Sequence, residues 1–152
     1  MKLNFVIGFI VLFSASAAAQ STNANYDSTL AKQFGADEYG MRSYVFVILK
    51  TGSNATTEKS FIDSCFAEHI KNIKRLVKEE KLVVAGPLQK NEKNYRGIFI
   101  LKVTTVEEAE KLLQTDAAIK SKLLEAELYK WYGSAALPLY LNAHDKMWKI
   151  GL

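Results

Sequence analysis

The 152-residue chain is poor in staples, breaks and metal ligands: one cysteine (Cys65), two prolines (Pro87 and Pro138) and two histidines (His69 and His144). A lone cysteine excludes an intramolecular disulfide, so the fold must rest on its core. Two histidines and one cysteine, with His144 far along the chain, do not make an ordinary zinc site. No Gly-rich phosphate loop, dinucleotide fingerprint or Gly-x-Ser-x-Gly elbow occurs. The residues therefore call for no metal and no cofactor. The 20 basic and 16 acidic residues are spread along the chain, net +4. Nucleic-acid binding usually needs a concentrated basic stripe, and none is present, so nucleic acid is not an expected partner.

Long apolar runs are also lacking. The longest lies at the start, where Lys2 supplies a positive charge, Phe5 to Phe13 a short apolar stretch, and Ala17-Ala18-Ala19 a small-residue cleavage site. This pattern predicts a secretory signal peptide over residues 1–19, cut before Gln20. The run is too short for a comfortable membrane span, and no cysteine near the cut offers a lipid anchor. The expectation is an exported protein, periplasmic or secreted, with no membrane attachment after cleavage.

Residues 20–40 are mostly small and polar and read as a flexible lead-in, with Leu30, Phe34 and Tyr39 able to lie against the domain. Tyr44 to Leu49, with Val45, Val47 and Ile48, predicts a buried strand. A loop follows around Gly52, Ser53 and Asn54, where Asn54-Ala55-Thr56 forms a glycosylation sequon. A long helix is expected from about Thr57 to Glu80, then a strand over Lys81 to Ala85 closed by Gly86-Pro87. Arg96 to Val103 reads as the third strand. Thr105-Val106-Glu107-Glu108 is a capping box opening a second helix, because threonine and glutamate three residues apart satisfy each other's free amides. A helical piece over Asp116 to Leu124 and a fourth strand over Ala126 to Tyr132 complete a domain of residues 41–133, and residues 134–152 form a tail.

The order βαββαβ predicts an α+β, ferredoxin-like antiparallel sheet with both helices on one face. Its other face would be left bare. Strands this apolar need a partner there, and a second copy of the same sheet meets that need, so a homodimer is expected.

The long helix carries the chemistry. Ile62, Phe66, Ile70, Ile73, Leu76 and Val77 recur mostly at three- and four-residue steps, and His69 falls inside their stripe. A titratable ring where leucine would pack better costs stability unless something uses it. Cys65 sits one turn earlier, and a Cys-His nucleophile is conceivable, but a small buried hydrophobe is the favoured reading.

His69 stands twelve residues before Lys81, and the next strand ends Leu82-Val83-Val84-Ala85-Gly86-Pro87; Gly97 opens the third strand, Glu108-Ala109 sit in the second helix, and Asp116 closes it. Together these resemble the YciI-like (YCII-related) family over roughly Tyr44 to Trp131. The resemblance implies a dimeric α+β barrel of ferredoxin-like units, with the helical histidine and the later aspartate sharing an active site. Those positions are His69 and Asp116. One departure is Ala117, where the family commonly has proline, which would preset the first turn of the following helix. The wider superfamily includes isomerases, lyases and monooxygenases acting on small, often aromatic molecules, an analogy of fold alone.

Two readings of each site residue stay open. His69 with Asp116 makes a base oriented by a carboxylate, since an acid bonded to one ring nitrogen leaves the other to accept a proton. Alternatively, Asp116 only caps the helix that follows. Arg96, at the mouth of the third strand, either steadies a substrate anion or flanks a hairpin. Tyr129 and Trp131, alternating with Leu128 and Lys130, either line a ligand pocket or pack at a core or dimer face. His144 is expected to be exposed and idle. The leading expectation is a cofactor-independent lyase or isomerase for a small molecule such as an aromatic acid or phenol. His69 would be the base, in a hollow enclosed by two copies of the sheet. The alternative is a non-catalytic module that binds a small molecule or partner in the same place.

Overall fold

A computed structural model describes residues 23–150. The expected signal peptide, residues 1–19, lies outside the described residues. Four strands, β1 (Met41–Thr51), β2 (Leu82–Pro87), β3 (Tyr95–Leu101) and β4 (Leu124–Ser134), form one sheet in the order β2-β3-β1-β4. All neighbours are antiparallel. Helix α2 (Lys59–Lys78) joins β1 to β2, while α3 (Val106–Leu113) and the short α4 (Ala117–Lys120) join β3 to β4. This is the ferredoxin-like α+β fold that the element order predicts.

Alternation along the strands sorts the sheet into two faces. Val45, Val47 and Leu49 of β1 pack with Phe99 and Leu101 of β3 under Leu76 of α2, Leu113 of α3 and Ile119 of α4. Between them on the chain, Phe46, Ile48, Ile98 and Ile100 point to the helix-free face and stay only half-buried. Among the described residues no helix is long and apolar enough to cross a membrane.

The structure differs from the sequence expectation at the ends of elements. β1 begins three residues earlier than its apolar run and ends two later, because the ladder with β4 runs unbroken from Met41 opposite Ser134 to Thr51 opposite Leu124. The helical piece expected to reach Leu124 stops at Lys120. Lys122 takes a left-handed φ of 62°, which turns the chain into β4. The lead-in contains a helix, α1 (Ser28–Phe34), capped by Asp27 at its start and by left-handed Gly35 at its end. Arg42 donates to the Phe34 carbonyl at 2.8 Å and holds that end down. In the tail, a 3-10 turn (Leu137–Tyr140) leads into α5 (Leu141–His144), and the Tyr140 hydroxyl donates to the Val83 carbonyl. The Asn54 side-chain amide donates to the Ser121 carbonyl at 2.9 Å, so the nitrogen a glycan would need is already engaged.

Candidate active site

The buried residues of α2 are Cys65, His69, Asn72 and Leu76, spaced four, three and four, so they form one line down the helix. The apolar residues Phe66, Ile70, Ile73 and Val77 flank that line and are only half-buried. Two polar side chains thus occupy the middle of the contact between helix and sheet. Such a position is tolerated when every polar group is paired.

Asp116 supplies the pairing. It sits between α3 and α4, completely buried, at the N-cap of α4. Its Oδ2 lies 2.7 Å from Nδ1 of His69 and accepts from the Asn72 amide at 3.3 Å. Its Oδ1 accepts the backbone N–H groups of Ala118 at 3.0 Å and Ile119 at 3.3 Å. Capping the helix and holding the histidine are therefore not alternatives: each oxygen does one of them. Burial pushes the carboxyl pKa up. The hydrogen bond and charge of His69, the Asn72 amide and the Ile119 N–H outweigh it, so the group is held below its ordinary 3.8.

An ionised carboxylate can only accept. Neutral His69 must then carry its proton on Nδ1, which leaves Nε2 as an acceptor with no hydrogen-bond partner among the described residues. The ring is stacked on Phe99, centroids 5.9 Å apart and planes at 22°, and meets Phe66 edge-on at 6.1 Å. The sheet beside Phe99 is built of small residues. Ala85 stands opposite Phe99, and Pro87 opposite Gly97, on the same face as the helices. Ala85 and Pro87 are exposed, so this part of the sheet has no helix over it. Gly97 is required here, since a Cβ would lie 2.9 Å from the Gly86 carbonyl oxygen of the neighbouring strand.

A ring of polar contacts backs the pair. Asn72 Oδ1 accepts from Arg75 Nη2 at 2.8 Å and from the Thr115 hydroxyl at 3.0 Å. Arg75 Nη2 also donates to the Thr115 oxygen at 2.8 Å, and its Nη1 to Glu79 at 2.7 Å. Sequence reasoning missed Asn72, although its signal was present: a polar residue three positions past His69, on the same line of the helix.

The remaining expected residues are not brought to this place. Arg96 is exposed and sits at the bulge where β3 has one residue more than β1, between Gly97 opposite Leu49 and Tyr95 opposite Lys50. It supplies none of the hydrogen bonds that hold Asp116 and His69 together. Tyr129 and Trp131 stand opposite Phe46 and Tyr44, on the helix-free face. They are 50% and 38% exposed. Tyr129 donates to Glu127 at 3.2 Å, and the Trp131 ring lies 5.5 Å from that of Tyr44. The hollow enclosed by two sheets is likewise corrected: the pair lies between helices and sheet, and copies meeting through their free faces would leave it outside. Cys65 is buried, as the hydrophobe reading has it, and His144 is exposed beside Tyr140. Among the described residues no three His, Cys, Asp or Glu side chains gather as a metal site.

No family model matches the chain, and no curated protein matches it. Among solved structures it is similar to 5-chloro-2-hydroxyhydroquinone dehydrochlorinase (TftG) from Burkholderia phenoliruptrix AC1100, solved in complex with 2,5-dihydroxybenzoquinone. The identity is 20% and the TM-score 0.41, over 57% of this chain and 92% of that one.

Proposed function

We propose that this chain is an exported YciI-like protein in which His69 acts as a general base on a small molecule such as an aromatic acid or phenol, in a lyase or isomerase reaction. The observation that carries the reading is the 2.7 Å contact of buried Asp116 with Nδ1 of His69, which leaves Nε2 free to accept a proton. Nε2 takes a proton from carbon; in an isomerisation it returns that proton to another atom of the same molecule, and in an elimination the leaving group departs with its bonding pair and the proton passes to solvent, so neither needs a redox partner. Phe66 and Phe99 offer aromatic walls, and the uncovered strip over Ala85 and Pro87 offers a way in.

Export rests on Lys2, the Phe5–Phe13 run and the alanines before Gln20. A homodimer through the free face of the sheet accounts for the half-exposed Phe46, Ile48, Ile98 and Ile100 and gives Tyr129 and Trp131 a packing role.

The test works with the substrate still unidentified. Hydroxylated and carboxylated aromatic compounds are incubated with the protein in D2O, and exchange of carbon-bound protons is followed by NMR. The expected result is exchange that falls about 10²–10⁴-fold in His69→Gln, with the melting temperature preserved. A compound that binds equally to both proteins, with no exchange or turnover of any kind, would instead identify a non-catalytic binding module.

A further inference from the structure

We infer that Arg75 and Asn72 are positioning residues for the His69–Asp116 pair: Arg75 sets the direction of the Asn72 amide, and the amide in turn fixes the carboxylate. The inference rests on the general-base reading above and extends it to residues that reading does not use.

An asparagine side chain can be placed either way round, and its neighbours decide which. Arg75 can only donate. Its Nη2 lies 2.8 Å from one end of the Asn72 amide, so that end must be the oxygen. The Thr115 hydroxyl, 3.0 Å from the same atom, agrees with this assignment. The NH2 end is thereby turned toward Asp116 Oδ2, 3.3 Å away, where a reversed amide would face the carboxylate with a second acceptor. Asn72 is 8% exposed and spans the contact between α2 and α4, so no water is needed to complete the chain from guanidinium to imidazole.

The effect on Asp116 is specific. With the Asn72 donor in place, Oδ2 has two partners and Oδ1 two more, so the carboxylate cannot turn without losing bonds on both sides. It stays ionised and keeps presenting Oδ2 to His69. Arg75 is 41% exposed along its side chain, and the field of so exposed a charge is strongly screened. Its influence therefore runs through the orientation of the amide rather than through distance alone. Thr115 closes the ring by accepting from Arg75 at 2.8 Å while sharing its own proton between Asn72 Oδ1 and the Leu112 carbonyl.

The experiment follows the Asp116 carboxyl by ¹³C NMR and the His69 ring nitrogens by ¹⁵N NMR in the wild type, Arg75→Met, Asn72→Leu and Arg75→Lys. Arg75→Met alters a surface-reaching side chain and keeps the test usable if Asn72→Leu folds poorly. In the wild type His69 carries its proton on Nδ1, and Asp116 titrates below its ordinary value. In Arg75→Met and Asn72→Leu the Asp116 midpoint moves upward and the Nε2-protonated tautomer of His69 appears. In Arg75→Lys, which keeps a cationic donor, both readings return toward wild type. Unchanged Asp116 titration and His69 tautomer in both disrupting variants, with only a lower melting temperature, would make the network a structural tie and overturn the inference. That outcome leaves the base itself standing, whereas a wild-type His69 protonated on Nε2 would overturn both.

Discussion

Asp116→Ala removes, in one substitution, the cap of α4 and the acceptor for two side chains of α2. The cap is worth about 1 kcal/mol. His69 and Asn72, each 8% exposed, would lose the acceptor they share, which costs roughly 1–3 kcal/mol for buried donors left unsatisfied. The sum is roughly 3 kcal/mol, which for a domain of this size lowers the melting temperature by about 10 °C. Asp116→Asn is the informative companion. Asparagine caps as well as aspartate, so that part survives. Its amide can donate to Nδ1, which would move the His69 proton to Nε2 and silence the base, while the Asn72 NH2 loses its acceptor at a cost of roughly 1–3 kcal/mol. Urea unfolding at neutral pH measures both, with an unchanged slope showing that the denatured state is comparable. The pH dependence supplies a second check. Because the folded carboxyl is held below 3.8, its contribution is complete above that value and is lost as the pH falls through the folded pKa. The gap between wild type and Asp116→Asn should therefore be full at neutrality and close in acid below about pH 4. An Asp116→Ala protein within about 0.5 kcal/mol of wild type would mean the carboxylate joins nothing, and the site would lose its basis.

Two further substitutions probe the scaffold and the free face. A Cβ on Gly52 would lie 2.1 Å from the Lys122 carbonyl oxygen, where the Gly52 and Asn54 amides bond the backbone leading into β4; Gly52→Ala should destabilise by roughly 3 kcal/mol in urea unfolding, and a loss under 1 kcal/mol would show that this loop yields. Trp131→Glu sets a charge on the helix-free face, so light scattering should find a dimeric wild type and a monomeric variant with similar melting of secondary structure. A wild type that is monomeric at micromolar concentration would end the dimer proposal.

The parts legible in the sequence were those that bury apolar area with a regular period. β1 and β3 appear as runs of branched and aromatic residues, and Thr105 accepts the Glu108 amide, one half of the expected capping box, while the Glu108 carboxylate pairs with Lys81. α1 escaped because it buries nothing: its signals are an aspartate cap and a left-handed glycine, with no apolar stripe between them. The line through α2 was placed one position off, since the apolar residues mark the flanks and the centre is Cys65, His69, Asn72 and Leu76. Pattern alone hides such a centre, because a polar residue inside a contact looks like a residue outside it until its partner is known. Asp116 could be anticipated from its spacing, as it continues the buried side of α3 from Ala109 and Leu113. Tyr129 and Trp131 lie apart from the pair for a different reason. Alternation along one strand says which residues share a face, but which face receives the helices is decided by register with β1, where Tyr129 meets Phe46 and not Val47.

That division of the sheet has a consequence for how association and chemistry can communicate. His69 rests on Phe99, and the residues on either side of Phe99 in β3, Ile98 and Ile100, face the opposite way. A partner packed on the free face would press on Ile98 and Ile100, while the histidine reads the position of the strand through the ring between them. Gly97 lets β3 sit close against the Gly86 carbonyl of β2 at that end, so there is little room for β3 to shift alone. Association would then act on the site by restraining Phe99 beneath the imidazole, without placing any residue of the second copy near Nε2. The rate of proton transfer should accordingly respond to dimerisation far less than to loss of Asp116, since the carboxylate sets the tautomer and the strand only supports the ring.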